Sequence, residues 1–299
     1  MASAAPDRSA RLSGAILVCI AAIAFSGKAV IIKLAYRHGV DAVTLLALRM
    51  LLSAPFFALL GWWAARGAAG VAPRDRILLV VMGFVGYYLA SYFDFLGLQY
   101  VTAALERLLL FVHPTFVVLI SAAFFGRRIT GRDVFAIAIS YAGIFLVFFN
   151  DLRTQSGDIL LGAFWVLLSA LFYAVYLVGS GRLVGRVGSM RFASYAGLVS
   201  SGAVVAHFAL TRDAGLILRQ PAPVYGLSLL MAVVSTVLPI VMTSEGIRRV
   251  GASHASIIGS VGPISTIALG AIFLGEPVTV VQIAGALLVL CGVLVIARK

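Results

Sequence analysis

The sequence predicts an all-α integral membrane protein whose ten transmembrane helices form a 5+5 inverted-topology repeat. Three observations support this fold class. The composition is too apolar for a water-soluble chain, the apolar runs have the length of a bilayer and are joined by short loops, and the second half of the chain repeats features of the first. Together they exclude an ordinary soluble domain.

The composition requires a bilayer as the solvent. Of the 299 residues, 62% are hydrophobic and 11% are charged, whereas about 25% of the residues in a soluble domain are charged. Mean hydropathy is +1.08 and net charge is +12. A basic soluble protein would suggest nucleic acid, but Arg and Lys here separate apolar runs, so we expect no nucleic-acid partner. Cys19 and Cys291 lie inside apolar runs and indicate neither a disulfide framework nor a metal site.

The spans follow from the length that a helix needs to cross a bilayer, about 20 residues. Charges, Pro, Gly and polar clusters divide the chain into ten apolar runs with short connections. The predicted spans 1 to 10 are residues 12–35, 42–65, 77–98, 103–125, 130–149, 158–180, 191–211, 222–246, 251–274 and 278–297. Residues 1–11 are expected to form a disordered tail, followed by a first repeat at 12–150 and a second at 151–299.

The orientation follows from the Lys and Arg residues of the loops. With the N-terminus inside, the inner segments hold fifteen of them and the outer segments hold five. Because cytoplasmic loops carry the excess of Lys and Arg, both termini are predicted to be cytoplasmic. The expected location is the inner membrane, crossed many times.

The two halves match at a constant distance in sequence. A shift of 149 residues aligns 94–147 with 243–296 without a gap, and a shift of 148 aligns Gly14-Ala15 with Gly162-Ala163. The identities at the 149 shift are Gly97/Gly246, Val101/Val250, Ala103/Ala252, Pro114/Pro263, Ala122/Ala271, Phe124/Phe273, Gly126/Gly275, Thr130/Thr279 and Gly143/Gly292. Five spans are an odd number, so the second copy enters the membrane from the opposite side, as in many transporters.

Several segments resemble a known family. The first span, "GAILVCIAAIAFSGKAVIIK", and the segments "LERLLLFVHPTFVVLISAAFFGRRIT" and "ASIIGSVGPISTIALGAIFLGEPVT" look like the EamA-type branch of the drug/metabolite transporter superfamily. Within it, the chain is most similar to the YddG-like amino-acid exporters. The resemblance implies a central cavity lined by spans 1, 3, 4, 6, 8 and 9 that opens alternately to each side.

Charged residues inside the spans are candidates for a functional or pairing role, because inserting each at the bilayer centre costs about 2.5–3.5 kcal/mol on insertion scales. Lys28 either attracts a substrate carboxylate in the cavity or snorkels to the outer surface. Arg49 is expected to pair with Asp41 or Asp94.

Two groups are candidates for gates. Asp94, Glu106 and Arg107 are predicted to form an ion pair at the outer ends of spans 3 and 4, acting either as a gate or as a static anchor. Glu245 occupies the corresponding inner junction, where Arg248, Arg249 and His254 lie close in sequence.

Prolines interrupt spans 4 and 9 at matched positions. Pro114 and Pro263 are each expected to kink a helix and to act as hinges, because proline removes a backbone hydrogen bond. His113, beside Pro114, is interpreted either as a substrate- or proton-binding group or as a satisfied interior side chain. Ser260 lies on a mildly polar face of span 9 and is a candidate cavity residue.

Aromatic side chains at helical spacing indicate a cavity for a partly apolar organic molecule. The candidate lining residues are Phe25 on span 1, Tyr88 and Tyr92 on span 3, and Tyr173 and Tyr176 on span 6. Packing or lipid-facing roles are the alternative for each.

These features favour a secondary transporter of small metabolites, most specifically an exporter of aromatic or other neutral amino acids, working by alternating access. No Walker loop or H-E-x-x-H motif is present, so we expect no enzymatic activity, cofactor or metal. The expected partners are a small-molecule substrate and membrane lipids, with the monomer as the functional unit. The alternatives are a transporter of a lipophilic cation, nucleobase or sugar derivative, and a non-transporting membrane scaffold.

Overall fold

The computed structural model describes residues 8–126, 128–154 and 157–297, and within these ranges the chain is helical and contains no strand. The all-α prediction is therefore confirmed. We number the helices α1 Arg8–Tyr36, α2 Ala42–Ala65, α3 Pro73–Gly97, α4 Ala103–Phe125, α5 Gly131–Thr154, α6 Ile159–Val187, α7 Ser189–Thr211, α8 Ala222–Val250, α9 252–274 and α10 Val280–Ala297.

Nine helices of the described chain are long and apolar enough to cross a bilayer, and a further apolar helix, Val280–Val295, is shorter. Helices α2 and α4 begin and end where the sequence predicts, whereas α6 continues past the predicted end at residue 180 to Val187. The predicted tail is corrected in part: residues 8–11 already belong to α1, and residues 1–7 lie outside the described chain. The molecule is a multi-pass membrane protein.

The loops that follow α1, α3, α7 and α9 meet at one end of the bundle, which we call the distal end. Lys33 at the end of α1 donates to the Val101 carbonyl at 2.7 Å and lies 3.8 Å from Glu276. Asp41 and Arg212 join the loops after α1 and α7, with Nε 3.3 Å from Oδ1. The helices therefore alternate in direction.

The opposite end, called the terminal end, holds the start of α1. Arg249 at the end of α8 donates to Ser13 Oγ at 2.8 Å. Arg186 near the end of α6 forms a two-point ion pair with Asp75 in the first turn of α3, at 2.7 and 3.1 Å. At this end the side-chain bonds thus join α8 to α1 and α6 to α3.

Helices α5 and α10 pack closely and antiparallel through glycine. Gly143 of α5 faces the carbonyl of Gly285, and Gly292 of α10 faces the carbonyl of Ala136, so that a Cβ atom at either position would clash with backbone. Adding 149 to 136 and 143 gives 285 and 292. The 149-residue shift that aligns the two halves of the sequence therefore converts one of these contacts into the other. Helices α5 and α10 thus have equivalent roles in the pair.

Helix pairs α1–α8 and α3–α6 repeat this relationship. A Cβ atom at Gly246 would lie 3.1 Å from the Gly14 carbonyl, and one at Gly97 would lie 3.0 Å from the Gly162 carbonyl. Gly97 matches Gly246 and Gly14 matches Gly162 in the sequence repeat. In each pair, a glycine of one half packs against the backbone of a glycine of the other half. The absence of side chains permits close approach of α1 to α8 and of α3 to α6.

Helices α4 and α9 are broken at equivalent places. The segments of α4 are Ala103–Leu110 and His113–Phe125, and those of α9 are Ala252–Gly259 and Gly262–Leu269. The breaks at 111–112 and 260–261 are 149 residues apart, and proline is the second residue of each following segment. The structure thus interrupts both spans immediately before Pro114 and Pro263.

Helices α3 and α8 contain π-helical turns that the sequence did not predict. They are Gly83–Leu89 and Val233–Val237, and the 149 shift places the first over the second. A Cβ atom at Gly86 would overlap the Tyr176 ring of α6, so the glycine of this turn admits an aromatic side chain between helices. Such π turns are frequent at functional sites.

Candidate functional site

A buried ion pair joins α1 to α3. Lys28 Nζ lies 2.6 Å from Asp94 Oδ2 and 3.9 Å from Glu106 Oε1, and the three side chains are 10%, 2% and 1% exposed. The ammonium therefore stays inside the bundle and does not reach the surface by snorkelling. Charges buried in this way are expected to be paired, and Lys28 has two carboxylate neighbours.

Glu106 is placed by the start of α4. Thr102 caps this helix, with Oγ1 accepting from the Leu105 amide at 3.0 Å, and the short α3–α4 connection returns Glu106 beside Asp94. Neither Glu106 oxygen has a hydrogen-bond partner in the described chain. Glu106 is thus a buried carboxylate held near an ammonium that already contacts another carboxylate.

Arg107 follows Glu106 on α4 and contacts α1. Its Nη2 lies 3.5 Å from Ser26 Oγ, and its guanidinium lies 5.4 Å from the Phe25 ring centroid and 5.7 Å from that of Phe111. No ion pair within 4 Å joins Arg107 to a carboxylate of the described residues. The predicted pairing of Asp94 or Glu106 with Arg107 is therefore wrong, because Lys28 takes both carboxylates.

Gly262 explains how Arg107 reaches α9. A Cβ atom at this position would lie 2.6 Å from Arg107 Nη2. Gly262 begins the second segment of α9 and corresponds to His113 in the repeat. The absence of a side chain lets the guanidinium lie against the helix break.

Two accessible aromatic rings border the buried groups. Phe25 lies between Lys28 Nζ at 5.5 Å and the Arg107 guanidinium at 5.4 Å, and is 41% exposed. Tyr173 of α6 meets the His113 ring at 5.2 Å and is 38% exposed. Both rings therefore keep accessible surface while they contact interior groups.

The aromatic wall continues on α6 and α3. Tyr176 stacks on Tyr173 at 5.8 Å and meets Tyr87 edge-on at 5.4 Å. Sequence analysis did not select Tyr87 as a lining residue. The available signal was its spacing of seven residues from Asp94, which puts both side chains on one face of a regular helix.

The repeat shows that the charges of the site belong to one half. A shift of 148 places Phe25 over Tyr173 and Lys28 over Tyr176. Phe25 lies beside the break in α9, through Ser26 Oγ and the Gly262 carbonyl at 3.1 Å, and Tyr173 lies beside the break in α4. The scaffold is therefore similar in the two halves, while its chemistry is not.

His113 satisfies the backbone at the break in α4. Its Nδ1 donates to the Leu110 carbonyl at 2.8 Å. Pro114 has no amide hydrogen and cannot donate to this carbonyl, which lies four residues earlier. The imidazole replaces the missing backbone bond, in agreement with the structural interpretation of His113.

Arg49 is buried in α2 without the partner Asp41. Its Nε donates to Thr236 Oγ1 of α8 at 3.1 Å, and its guanidinium lies 5.6 Å from the Phe95 ring. Asp41 instead caps α2 and accepts from Arg212. Burial raises the pKa of Asp41, but hydrogen bonds from Thr44 and the Arg212 guanidinium lower it further, so the pKa lies below its usual value.

Tyr88 and Tyr92 lie on another face of α3. Tyr88 Oη is 3.0 Å from His207 Nδ1 of α7, and Tyr92 meets the same imidazole at 4.8 Å between ring centroids. Their ring contacts are with His207 and with neighbouring rings of α3. Within the described chain, no hydrogen bond or ring contact joins them to Lys28, Arg107 or Tyr173.

Ser260 and Glu245 make local contacts. Ser260 Oγ donates to the Ile257 carbonyl at 2.6 Å, at the break in α9. Glu245 pairs with Arg248 at 2.6 Å and Arg249 at 2.7 Å on its own helix. Arg249 also donates to Ser13 Oγ of α1. Glu245 therefore positions a guanidinium that joins α8 to α1 at the terminal end.

A cavity of about 300 Å³ lies at the distal end, lined by residues that include Lys33, Thr102, Asp151, Glu276 and Gln282. Thr102 Oγ1 donates to Asp151 at 2.7 Å, and Glu276 accepts from the Ala103 amide at 3.1 Å. These bonds tie α1, α4, α5 and α9 together at this end.

Comparison with known proteins identifies one transporter family and relatives that are named as transporters. The model of the EamA-like transporter family matches residues 12–149 and again 160–298. The uncharacterized transporter YcbK of Bacillus subtilis is 34% identical over 279 residues, which cover 91% of this chain and 89% of that protein. An uncharacterized transporter of Archaeoglobus fulgidus is 26% identical over 77% of this chain and 79% of its own length. One solved crystal structure covers 95% of this chain and 96% of its own, with a TM-score of 0.64 and 17% identity, and so shares the fold.

Proposed function

We propose, from the premise that this chain belongs to the EamA-like transporter family, that it is a secondary transporter of small organic solutes carrying a carboxylate. Neutral amino acids, the aromatic ones included, are the proposed substrates. The observation that carries the proposal is Arg107, which has no carboxylate within 4 Å in the described chain and whose Nε is inaccessible to solvent without a hydrogen-bond partner, beside the accessible ring of Phe25.

The charges of the site favour an anionic group. Lys28, Arg49 and Arg107 are cations, and Asp94 and Glu106 are the anions near them. When all five are ionised, the group has a net charge of +1, and neither Arg49 nor Arg107 has a carboxylate within 4 Å in the described chain. An uncompensated charge in a low-dielectric interior is costly, so a solute carboxylate that contacts Arg107 lowers the free energy of the bound state.

The aromatic rings supply the apolar part of the site. Phe25 of α1 and Tyr173 of α6 keep accessible surface, and Tyr176 stacks on Tyr173 and extends the aromatic surface of α6. A pocket with apolar walls and a few polar groups suits a small amphipathic ligand. This combination supports amino acids whose side chains are apolar or aromatic.

Alternating access supplies the proposed mechanism. The matched glycine contacts and the matched breaks in α4 and α9 support a 5+5 inverted repeat, in which the two halves exchange conformations. Pro114 and Pro263 are the proposed hinges, since each follows a break. Both termini are proposed to lie in the cytoplasm and the protein in the inner membrane.

The two ends differ in the structure. At the distal end Lys33 and Arg37 bond to Val101, Glu276 and Leu274. The 148 shift places these two positions at 181 and 185 of α6, where glycines have no neighbouring atom within 4 Å of an added Cβ. This difference supports a state closed at the distal end and accessible from the terminal end, which is the loading state of an exporter if the termini are cytoplasmic.

The test is uptake of labelled amino acids into proteoliposomes that contain the purified protein. Saturable uptake is expected for at least one neutral amino acid, and Arg107→Gln is expected to weaken apparent affinity about tenfold or more, because hydrogen bonds to charged groups contribute about 1.5–3 kcal/mol. Arg74→Gln, at an exposed position on α3, is the matched control. Absence of saturable flux for every amino acid overturns the substrate class, and unchanged flux in Arg107→Gln overturns the site.

A second candidate is export of a lipophilic cation. It is favoured by the two carboxylates around one ammonium, of which Glu106 has no hydrogen-bond partner in the described chain. If Glu106→Gln abolishes transport while Arg107→Gln and Lys28→Ala do not, the substrate is a cation. The opposite pattern supports the carboxylate-bearing solute.

A further inference from the structure

A groove of about 500 Å³ lies at the terminal end between α3 and α7. The α2–α3 loop covers one side of it through Ala68, Gly70 and Val71. None of the transport-site residues described above line it. The groove is therefore a separate feature of the molecule.

Two arginines stand at the mouth of the groove. Arg191 Nη2 donates to the Ala69 carbonyl at 3.0 Å, and Arg76 Nε donates to the Val71 carbonyl at 2.8 Å. These bonds position both guanidiniums without neutralising them, since no carboxylate of the described residues lies within 4 Å of either. Arg191 Nε is also inaccessible to solvent and lacks a hydrogen-bond partner.

The nearest acidic side chain is already engaged. Asp75 neighbours Arg76 in sequence, but its two oxygens accept from Arg186 at 2.7 and 3.1 Å. The charge of Arg76 and Arg191 is thus available to an external anion.

The walls below the arginines are apolar. Leu79 and Val80 of α3 and Leu198 and Val199 of α7 line the groove, and Val80 is 50% exposed. A ligand that fits must therefore combine an anionic group with an apolar chain. A free inorganic anion would leave these walls uncovered.

The arginines lie at the level expected for lipid headgroups. Arg76 and Arg191 are in the first turns of α3 and α7. Trp62 and Trp63, at the end of α2, are 57% and 61% exposed, and the Arg66 guanidinium lies 3.6 Å from the Trp62 ring. Exposed Trp side chains mark the membrane–water interface.

We infer that this groove binds an anionic phospholipid, with its phosphate between Arg76 and Arg191 and an acyl chain along Leu79, Val80 and Leu198. Basic pockets between transmembrane helices bind anionic headgroups in this way. The lipid bridges α3 to α7 and so stabilises the packing of the helix that carries Asp94. This inference does not depend on the proposed substrate.

The experiment measures binding of phosphatidylglycerol to the full-length protein in detergent, by native mass spectrometry and by the rise in thermal unfolding temperature. The Arg76→Gln/Arg191→Gln variant is expected to bind about twenty-five-fold more weakly, which is fivefold for each arginine. Arg74→Gln, in the same turn as Arg76 but outside the groove, is expected to bind like the wild type. If the double variant does not fold, Arg76→Gln alone must still weaken binding about fivefold.

Three results overturn the inference. The first is equal binding by the double variant and the wild type. The second is phosphatidylcholine binding as tight as phosphatidylglycerol binding, which would mean that the charge is not recognised. The third is the same thermal shift with inorganic phosphate, which would make the groove a site for a soluble anion.

Discussion

Lys28 and Asp94 form an ion pair of 2.6 Å in the interior of the bundle, and Glu106 lies 3.9 Å from the same ammonium. One cation thus serves two carboxylates that come from different helices, α3 and α4. In a low-dielectric interior, removing the shared cation has a different consequence from removing either anion.

The first prediction concerns this asymmetry. Lys28→Met leaves two carboxylates without an ammonium and is expected to lower stability strongly, since breaking a buried pair costs about 3–5 kcal/mol. Asp94→Asn is expected to be milder, because Lys28 keeps Glu106 as a neighbour. Adding Asp94→Asn and Glu106→Gln to Lys28→Met should restore most of the loss. Thermal unfolding in detergent measures all three variants, and an Asp94→Asn loss as large as that of Lys28→Met would contradict the shared-cation arrangement.

The second prediction concerns the break in α4. His113→Ala removes the donor to the Leu110 carbonyl and is expected to cost about 1 kcal/mol, the contribution of one hydrogen bond. In a Pro114→Ala background the restored amide can donate to that carbonyl, so the same change should cost little. A double-mutant cycle by thermal unfolding gives the coupling. In a Pro263→Ala background the cost of His113→Ala should stay at its wild-type value, and equal costs in all three backgrounds would refute the replacement.

The third prediction tests the twofold relationship of α5 and α10. Gly143→Leu and Gly292→Leu are both expected to lower the unfolding temperature, because each side chain would meet the backbone of the facing helix, and overpacking costs about 1–3 kcal/mol or more. Gly202→Leu on α7 is the control, since an added Cβ there has no atom within 4 Å. If Gly292→Leu behaves like Gly202→Leu, the two positions are not equivalent.

The fourth prediction concerns closure at the distal end. Glu276→Ala removes the partner of Lys33 and of the Ala103 amide, so α9 should detach more readily from α1 and α4. In a chain with Cys19→Ala and Cys291→Ala, a Phe25→Cys thiol should then react faster with an impermeant reagent added from the distal side of proteoliposomes. Arg153→Ala, exposed near the same end, should leave the rate unchanged, and an unchanged rate in Glu276→Ala would mean that these bonds do not close the bundle.

Much of the fold could be predicted because bilayer crossing imposes a local rule on composition. Helices α2 and α4 have their predicted ends, since Asp41 and Thr102 cap them and charge or glycine follows them. The breaks before Pro114 and Pro263 follow from a missing amide hydrogen, which is a property of one residue. The π turns carry no comparable local signal, because they depend on what packs against Gly83 and Gly86.

The site was less predictable because charges choose partners across helices. The sequence identifies four charged residues of the site as candidates for a functional or pairing role: Lys28, Asp94, Glu106 and Arg107. Their pairing was nevertheless predicted wrongly. Glu106 and Arg107 are adjacent in sequence, so they point to different sides of α4. Tyr88 and Tyr92 were placed correctly on one face of α3, but only the neighbouring helix shows that this face meets His207.

The sequence by itself determines the composition, the span lengths and the 149-residue repeat, because each depends on local hydrophobicity or on the comparison of one segment with another. Helix packing selects which carboxylate Lys28 contacts, leaves Arg107 without one, and opens the groove beside Arg191. These outcomes depend on distances of a few ångströms between residues far apart in sequence, and electrostatic and packing energies change steeply over such distances.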